Sequence, residues 1–201
     1  MPKLKPATMA ARRDEILRAA EACFARQGFH QTTISDVIAE VGLSAGCIYG
    51  HFASKDELIQ AIGERRHGRD AALLAAARDS ADPLDGLRAI ARASLVDMQK
   101  EEGLRSRRIA LQLWAEALRD EAICEQVVDG VRKPVAVITE LLQRGQRLGV
   151  VDRAVNPRSI ARTMVAMFQG FVLQRLWGEP FSSSDAMTAF EALLSGIATR
   201  R

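Results

Sequence analysis

Apolar residues recur at spacings of three and four along almost the whole chain, and polar residues fill the intervals, a pattern that reads as successive amphipathic helices. The first runs from about Ala10 to Gln27, with Ile16, Ala20, Cys23 and Phe24 on one stripe and Gly28 as its stop. A short helix with Ile34, Val37, Ile38 and Val41 on its apolar side follows Thr33, and Gly42 is placed to close it in a left-handed turn. Ser44 caps a second short helix, in which Ile48 and Phe52 lie four apart and face inward. Ser54 and Glu57 then form an S-x-x-E capping box. It opens a long helix from Lys55 to about Asp79 with Leu58, Ile62, Leu73 and Leu74 as its apolar points, and Gly63 with residues 64 to 70 reads as exposed.

Asp82-Pro83 is the clearest break in the chain, since proline suits the first turn of a new helix. That helix carries Leu87, Ile90, Leu95 and Met98 to about Lys100, with Gly103 as its end, and another runs from Arg105 to Arg119 through Ile109, Leu111, Leu113 and Trp114. Between Asp120 and Gln146 the apolar series Ile123, Val127, Val131, Val135, Ile138 and Leu142 surrounds Pro134, which removes a backbone bond and predicts a bend with space beside it. Asn156-Pro157 caps a helix over Arg158 to Leu176, and Met187, Phe190, Leu193, Leu194 and Ile197 mark the last. Strand-like alternation is scarce, so the fold class is all-α.

The stretch from Thr33 to Leu58 is a helix, a tight turn and a second short helix, the arrangement that lays one helix in a DNA major groove. Helix-glycine-helix turns also occur in bundles that touch no nucleic acid, so the residues matter. Ala45, Gly46, Cys47 and Gly50 are small enough for close approach to base edges, while Thr33, Tyr49, His51 and Lys55 supply donors suited to phosphate. Ser44 stands at the start of the same helix. The DNA-binding set is therefore Thr33, Ser44, Ala45, Gly46, Cys47, Tyr49, Gly50, His51 and Lys55.

From Arg13 to Leu58, the ordered series Ile16, Ala19, Ala20, Phe24, Gly28, Phe29, Thr32, Thr33, Ile34, Gly42, Leu43, Ser44, Gly46, Ile48, Tyr49, His51, Phe52, Lys55 and Leu58 resembles the N-terminal domain of the TetR (tetracycline repressor) family of bacterial transcription regulators. Two positions depart from it. Ile38 stands where Ala is usual at the packing point of the short helices, and Gly50 where a larger residue is common. The resemblance implies an N-terminal three-helix helix-turn-helix DNA-binding domain plus a C-terminal helical ligand-binding and dimerisation domain. The expected division is a flexible basic arm over residues 1–9, the DNA-binding domain over 10–54 and the effector and dimer domain over 55–201.

A single helix-turn-helix reads too few bases for useful specificity, and a twofold dimer reads two half-sites. The resemblance implies that the last two helices pair with those of a second subunit, and the candidate dimer set is Ile160, Met164, Met167, Phe171, Met187, Phe190, Leu194 and Ile197, some of them ordinary core. It also implies a small-molecule pocket, for which Met98, Leu113, Trp114, Ile138, Met164 and Phe168 are candidates beside the Pro134 bend; each is equally well a core side chain. Their apolar character favours a greasy or amphipathic effector. The partners expected are thus double-stranded operator DNA, a second copy of the chain and an unknown small-molecule effector.

Charge and cysteine usage narrow the alternatives. The 201-residue chain carries a formal net charge of +3, compatible with nucleic acid but weak by itself. Three cysteines, Cys23, Cys47 and Cys124, lie far apart and suggest neither a disulfide framework nor a metal site, which suits a reducing cytoplasm. The N-terminus has no apolar leader, and no later segment reaches the roughly 18 apolar residues of a membrane span. No Cys-His, Ser-His-Asp or acidic cluster marks an enzyme, and no cofactor is expected. Two alternatives remain at this level: a redox-sensing regulator acting through Cys47, and a helical module whose head binds protein.

Overall fold

The computed structural model describes residues 6–179 and 182–199; the side chains of residues 6, 7, 66, 67 and 69 lie outside that description, and with them the surface position expected for His67. Nine helices stand among the described residues: α1 (Pro6–Gln27), α2 (Ile34–Val41), α3 (Ala45–Tyr49), α4 (Lys55–Arg78), α5 (Pro83–Asp97), α6 (Glu101–Glu116), α7 (Glu121–Arg147), α8 (Pro157–Leu176) and α9 (Ser183–Ile197). An isolated bridge between Val151 and Ala198 is the extended pairing recorded among them. None of these helices is long and apolar enough to cross a membrane.

The flexible arm expected over residues 1–9 overlaps α1 from Pro6 onward. Residues 1–5 lie outside the described part, and Pro6 already opens α1, because proline lacks only an N–H that the first helical turn leaves unbonded in any case.

Two compact units divide the chain, one formed by residues up to Arg66 together with Arg105–Cys124, the other by His67–Leu104 together with Glu125–Arg201. Helices α4, α6 and α7 each pass from one unit to the other.

In the first unit α1 supplies Ile16, Leu17, Ala20, Cys23 and Phe24, all buried, and α1 packs on α2. Val37 of α2, Ile48 of α3, Phe52, and Leu58 and Ile62 of α4 are buried as their spacing requires. Phe24 meets the edge of Phe29 at a centroid distance of 5.0 Å, and the Arg13 guanidinium lies 4.9 Å from the Phe52 ring centre. In the stretch expected to be exposed, Glu64 and Gly68 are exposed, while Gly63 and Arg65 depart from the expectation. Gly63 is buried, and Arg65 is half-buried because its guanidinium joins Asp14 at 2.7 Å and Glu21. Burial works against that charge, but the two carboxylates outweigh it and raise the Arg65 pKa.

The second unit is held by apolar clusters. One gathers Leu87, Val135, Ile138, Leu141, Leu142, Val151, Ala161, Met164, Phe190 and Leu194; another gathers Leu95, Met98, Val172 and Ala186. Its helices begin on local caps, with Asp82, Asn156 and Ser182 accepting from the backbone N–H groups of Leu84, Ser159 and Asp185. Gly103 does not end α5 as expected. It lies in the first turn of α6, where a Cβ would stand 1.9 Å from the Asp97 carbonyl oxygen, so its role is to let α6 start against the end of α5.

Candidate nucleic-acid interface

Local capping builds the reading element. The Thr33 hydroxyl oxygen accepts from the Asp36 N–H at 3.2 Å, and the Asp36 carboxylate accepts from the Thr33 N–H at 2.7 Å, so α2 starts on a reciprocal box. Bonds from the Thr33 backbone and then its side chain hold the Asp36 pKa below the usual carboxylate value. Gly42, at φ 69°, closes α2 and returns its N–H to Ile38. Two residues on, Ser44 accepts from the Cys47 N–H at 3.3 Å and starts α3.

This geometry sorts the candidate residues by face. Ile48 is buried, whereas Ser44, Ala45, Gly46, Tyr49 and Gly50 are exposed and Cys47 is half-buried. Tyr49, at 55% exposure, is the one large side chain on that outer face. No Cβ at Gly46 would meet anything within 4 Å, so the face is open as well as small. Gly50 has φ −71°, which any residue adopts. His51 is half-buried, its ring 6.5 Å from that of Phe52.

Lys55 is placed differently from a free phosphate ligand. Its ammonium donates to the Phe29 carbonyl at 2.8 Å and to the Thr32 carbonyl at 3.3 Å, binding the start of α4 to the α1–α2 turn. An ammonium has three donors, so one remains for an anion. Thr33 likewise uses its hydroxyl within the α2 cap, donating to Asp36 at 2.8 Å. On α1 the Arg12, Arg18 and Arg26 guanidinium groups are paired with Glu15, Asp14 and Glu40.

Cys23 is fully buried and directs its thiol toward the Asp36 carbonyl; burial first, then the Glu40 charge, raises its pKa above the ordinary thiol value. It is a packing residue. Among the described residues no group of His, Cys, Asp and Glu side chains is arranged to hold a metal ion.

The remaining candidates fall in both units. Of the effector set, Leu113 and Trp114 lie in the first unit, Ile138 and Met164 in one apolar cluster of the second, and Met98 with Phe168 at the other. A cleft of about 270 Å³ in the second unit is lined instead by Arg78, Glu140, Leu141, Arg144 and Arg147. Of the dimer set, Met164, Phe190 and Leu194 are buried in the subunit's own core, as interior-facing members of α8 and α9 must be, while Ile160, Met167, Phe171, Met187 and Ile197 are only partly buried. Leu193, not among the candidates, is 49% exposed. Its place three residues after Phe190 puts it by spacing at the edge of the apolar face, so the sequence period alone does not reveal its exposure.

A capped helix-turn-helix with an open, small-residue outer face, joined to a helical second unit, defines a DNA-binding regulator. Residues 16–62 match the family model for bacterial regulatory proteins of the tetR family, and residues 83–199 match that for the C-terminal part of BetI-type transcriptional repressors. The chain belongs to the TetR family of transcription regulators, which are not enzymes. It is 32% identical over 165 residues to a probable HTH-type transcriptional regulator, ArpR, of Pseudomonas putida, covering 78% of this chain and 74% of that one. The transcriptional repressor BepR of Brucella suis is 29% identical over 192 residues, covering 86% and 84%. SmeT, the repressor of the Stenotrophomonas maltophilia multidrug efflux pump SmeDEF, is 27% identical with a TM-score of 0.76, covering 93% of this chain and 90% of that one. SmeT in complex with triclosan gives 28% identity and a TM-score of 0.78, covering 94% and 92%.

Proposed function

We propose that this regulator binds a twofold operator as a homodimer in the cytoplasm and represses until a small apolar or amphipathic effector, bound in the C-terminal domain, releases it. The observation that carries the DNA part is the division of α3 between a buried Ile48 and an outer face of Ser44, Ala45, Gly46, Tyr49 and Gly50. Ala45, Gly46, Cys47 and Gly50 approach base edges, reading thymine methyl groups and DNA shape more than hydrogen-bond patterns. Tyr49, His51, Thr33 and the third donor of Lys55 meet phosphates.

Duplexes selected from a random-sequence pool supply the operator, and fluorescence anisotropy against that duplex and a scrambled one tests the assignment. Tyr49→Phe is expected to weaken both by the same factor, whereas Cys47→Val changes which sequence is preferred. Variants that match the native protein on both duplexes would remove the assignment. Lys55→Ala is a poorer probe, because it also frees the Phe29 and Thr32 carbonyls.

Pairing through α8 and α9 is supported by the partly buried Ile160, Met167, Phe171, Met187 and Ile197 and by exposed Leu193. Met167→Glu is expected to shift sedimentation from dimer to monomer. The effector reading is supported by the apolar side chains around Met98, Phe168, Ile138 and Met164 and by the similarity to SmeT, which has been seen with triclosan. In linkage terms the effector prefers the conformation that fits DNA poorly, and weakens binding by that preference. Native mass spectrometry of gently purified protein is expected to show a retained small molecule that lowers operator affinity when added back.

A further inference from the structure

The turn from Gly28 to Thr32 joins the backing helix α1 to the reading pair α2 and α3, and side chains distant in sequence hold its backbone. Gly28, at φ 82°, ends α1 with its N–H returned to the Phe24 carbonyl at 2.9 Å. Gln112 of α6 meets this end with both halves of its amide. Its Nε2 donates to the Phe24 carbonyl at 3.1 Å, and its Oε1 accepts from the Phe29 N–H at 2.7 Å. One donor and one acceptor match one acceptor and one donor, so the side chain stands in for a peptide unit.

Neighbouring bonds act on the same turn. One helical turn along α6, Glu116 Oε1 lies 2.8 Å from Nε2 of His30. From α4, Lys55 donates to the carbonyls of Phe29 and Thr32, and buried Thr32 donates its hydroxyl to the Gly28 carbonyl at 2.7 Å. The N–H of Phe29 is thus fixed by α6 and its carbonyl by α4. Thr33, the cap of α2, follows directly, so the position of this turn sets where α2 and α3 begin.

We infer that Gln112 is a positioning residue for operator reading: it touches no DNA, and its amide fixes the α1–α2 turn from which the reading helices depart. The inference rests on the DNA-binding role proposed above. No shorter or singly functional side chain replaces it. Asparagine is one methylene short, glutamate keeps the acceptor but turns a second oxygen toward the Phe24 carbonyl, and methionine keeps the shape without either bond.

The experiment uses the full chain and its Gln112→Met and Gln112→Glu variants, with Gln99→Met as a control that loses an exposed bond to Ser183 in the second unit. Affinity for the selected operator and for a scrambled duplex is measured well below the thermal midpoint of each protein, together with hydrogen exchange at the Phe29 amide. For Gln112→Met the ratio of operator to scrambled affinity is expected to fall about tenfold, the loss of two ordinary hydrogen bonds' worth of positioning, with scrambled-DNA affinity unchanged and Phe29 exchange faster. Gln112→Glu retains Phe29 protection and loses less of the ratio, and it carries the test if Gln112→Met does not fold. Faster Phe29 exchange with an unchanged ratio would overturn the inference and leave Gln112 as structural glue. A wild-type protein that cannot tell operator from scrambled DNA would overturn the DNA-binding reading as well.

Discussion

The two units both combine an apolar core with polar bonds of long sequence separation, and they differ in where those bonds fall. In the second, continuous apolar clusters around Leu142 and Met98 join the helices, and its long-range polar bonds, Arg88 to Glu191, Gln99 to Ser183 and Arg144 to the Arg78 carbonyl, are spread over separate places. In the first, buried Phe24, Ile48 and Phe52 are supplemented by polar bonds of long sequence separation: Gln112 to Phe24 and Phe29, Lys55 to Phe29 and Thr32, Arg65 to Asp14 and Glu21. Apolar contact is nondirectional and tolerates sliding, whereas a hydrogen bond fails when its partner moves or rotates. The α1–α2 turn of the first unit is therefore held in one orientation, whereas the apolar clusters of the second leave their helices freer to slide.

Leu142→Ala is the largest expected perturbation, because the side chain is fully buried in the apolar cluster; a loss of about 2–5 kcal/mol should appear in urea unfolding. Glu21→Ala follows at about 2 kcal/mol in the same measurement, since it leaves half-buried Arg65 with Asp14 alone. If its loss were as small as that of an exposed surface pair, the contrast between the units would weaken. Ser44→Ala removes the α3 cap and is expected to cost about 1 kcal/mol. Operator affinity should fall with it.

The smallest effect is in pH. The folded-state pKa of Asp36 is depressed, so its contribution is complete above the ordinary carboxylate value of about 3.9 and is lost as pH falls through the lower folded value. Asp36→Asn should flatten the acid limb of the stability curve over that range. An acid limb identical to wild type would show that the α2 box does not contribute to stability.

The features legible in the sequence were local ones. Thr33 with Asp36, Gly42, Ser44 and Asn156-Pro157 each act within four residues of their partners, and the structure places every one at the helix end that its spacing predicts. Ser54 caps the Glu57 N–H as expected, but the Glu57 carboxylate reaches back to the Ala53 N–H, one residue earlier than a standard box. The bonds of Lys55 and Gln112 were not legible, because their partners lie 23 to 88 positions away and no period announces them. Gly103 misled for a related reason. A glycine after polar residues reads as a helix stop, whereas this one answers to a neighbouring carbonyl that only the fold brings near. The candidate set for DNA was drawn from one contiguous stretch and lies within the first unit. The effector set was drawn from several helices and lies in both units.

The helical glycines also set a rule for engineering a hardier version of this regulator. Replacing glycine by alanine inside a helix ordinarily stabilises by about 0.5–1 kcal/mol. At Gly68, Gly170 and Gly196 a methyl group would meet nothing within 4 Å, so thermostabilisation by this route is open. At Gly86 the added carbon would stand 2.5 Å from the Ala77 carbonyl oxygen, and at Gly145 2.5 Å from a methyl carbon of Val151. A library that treats all helical glycines alike would lose at contact points much of what it gained at open ones. Gly170 and Gly196, on α8 and α9, divide the outcomes further: alanine there should help an isolated subunit, and should help less or do harm where a second copy packs against them.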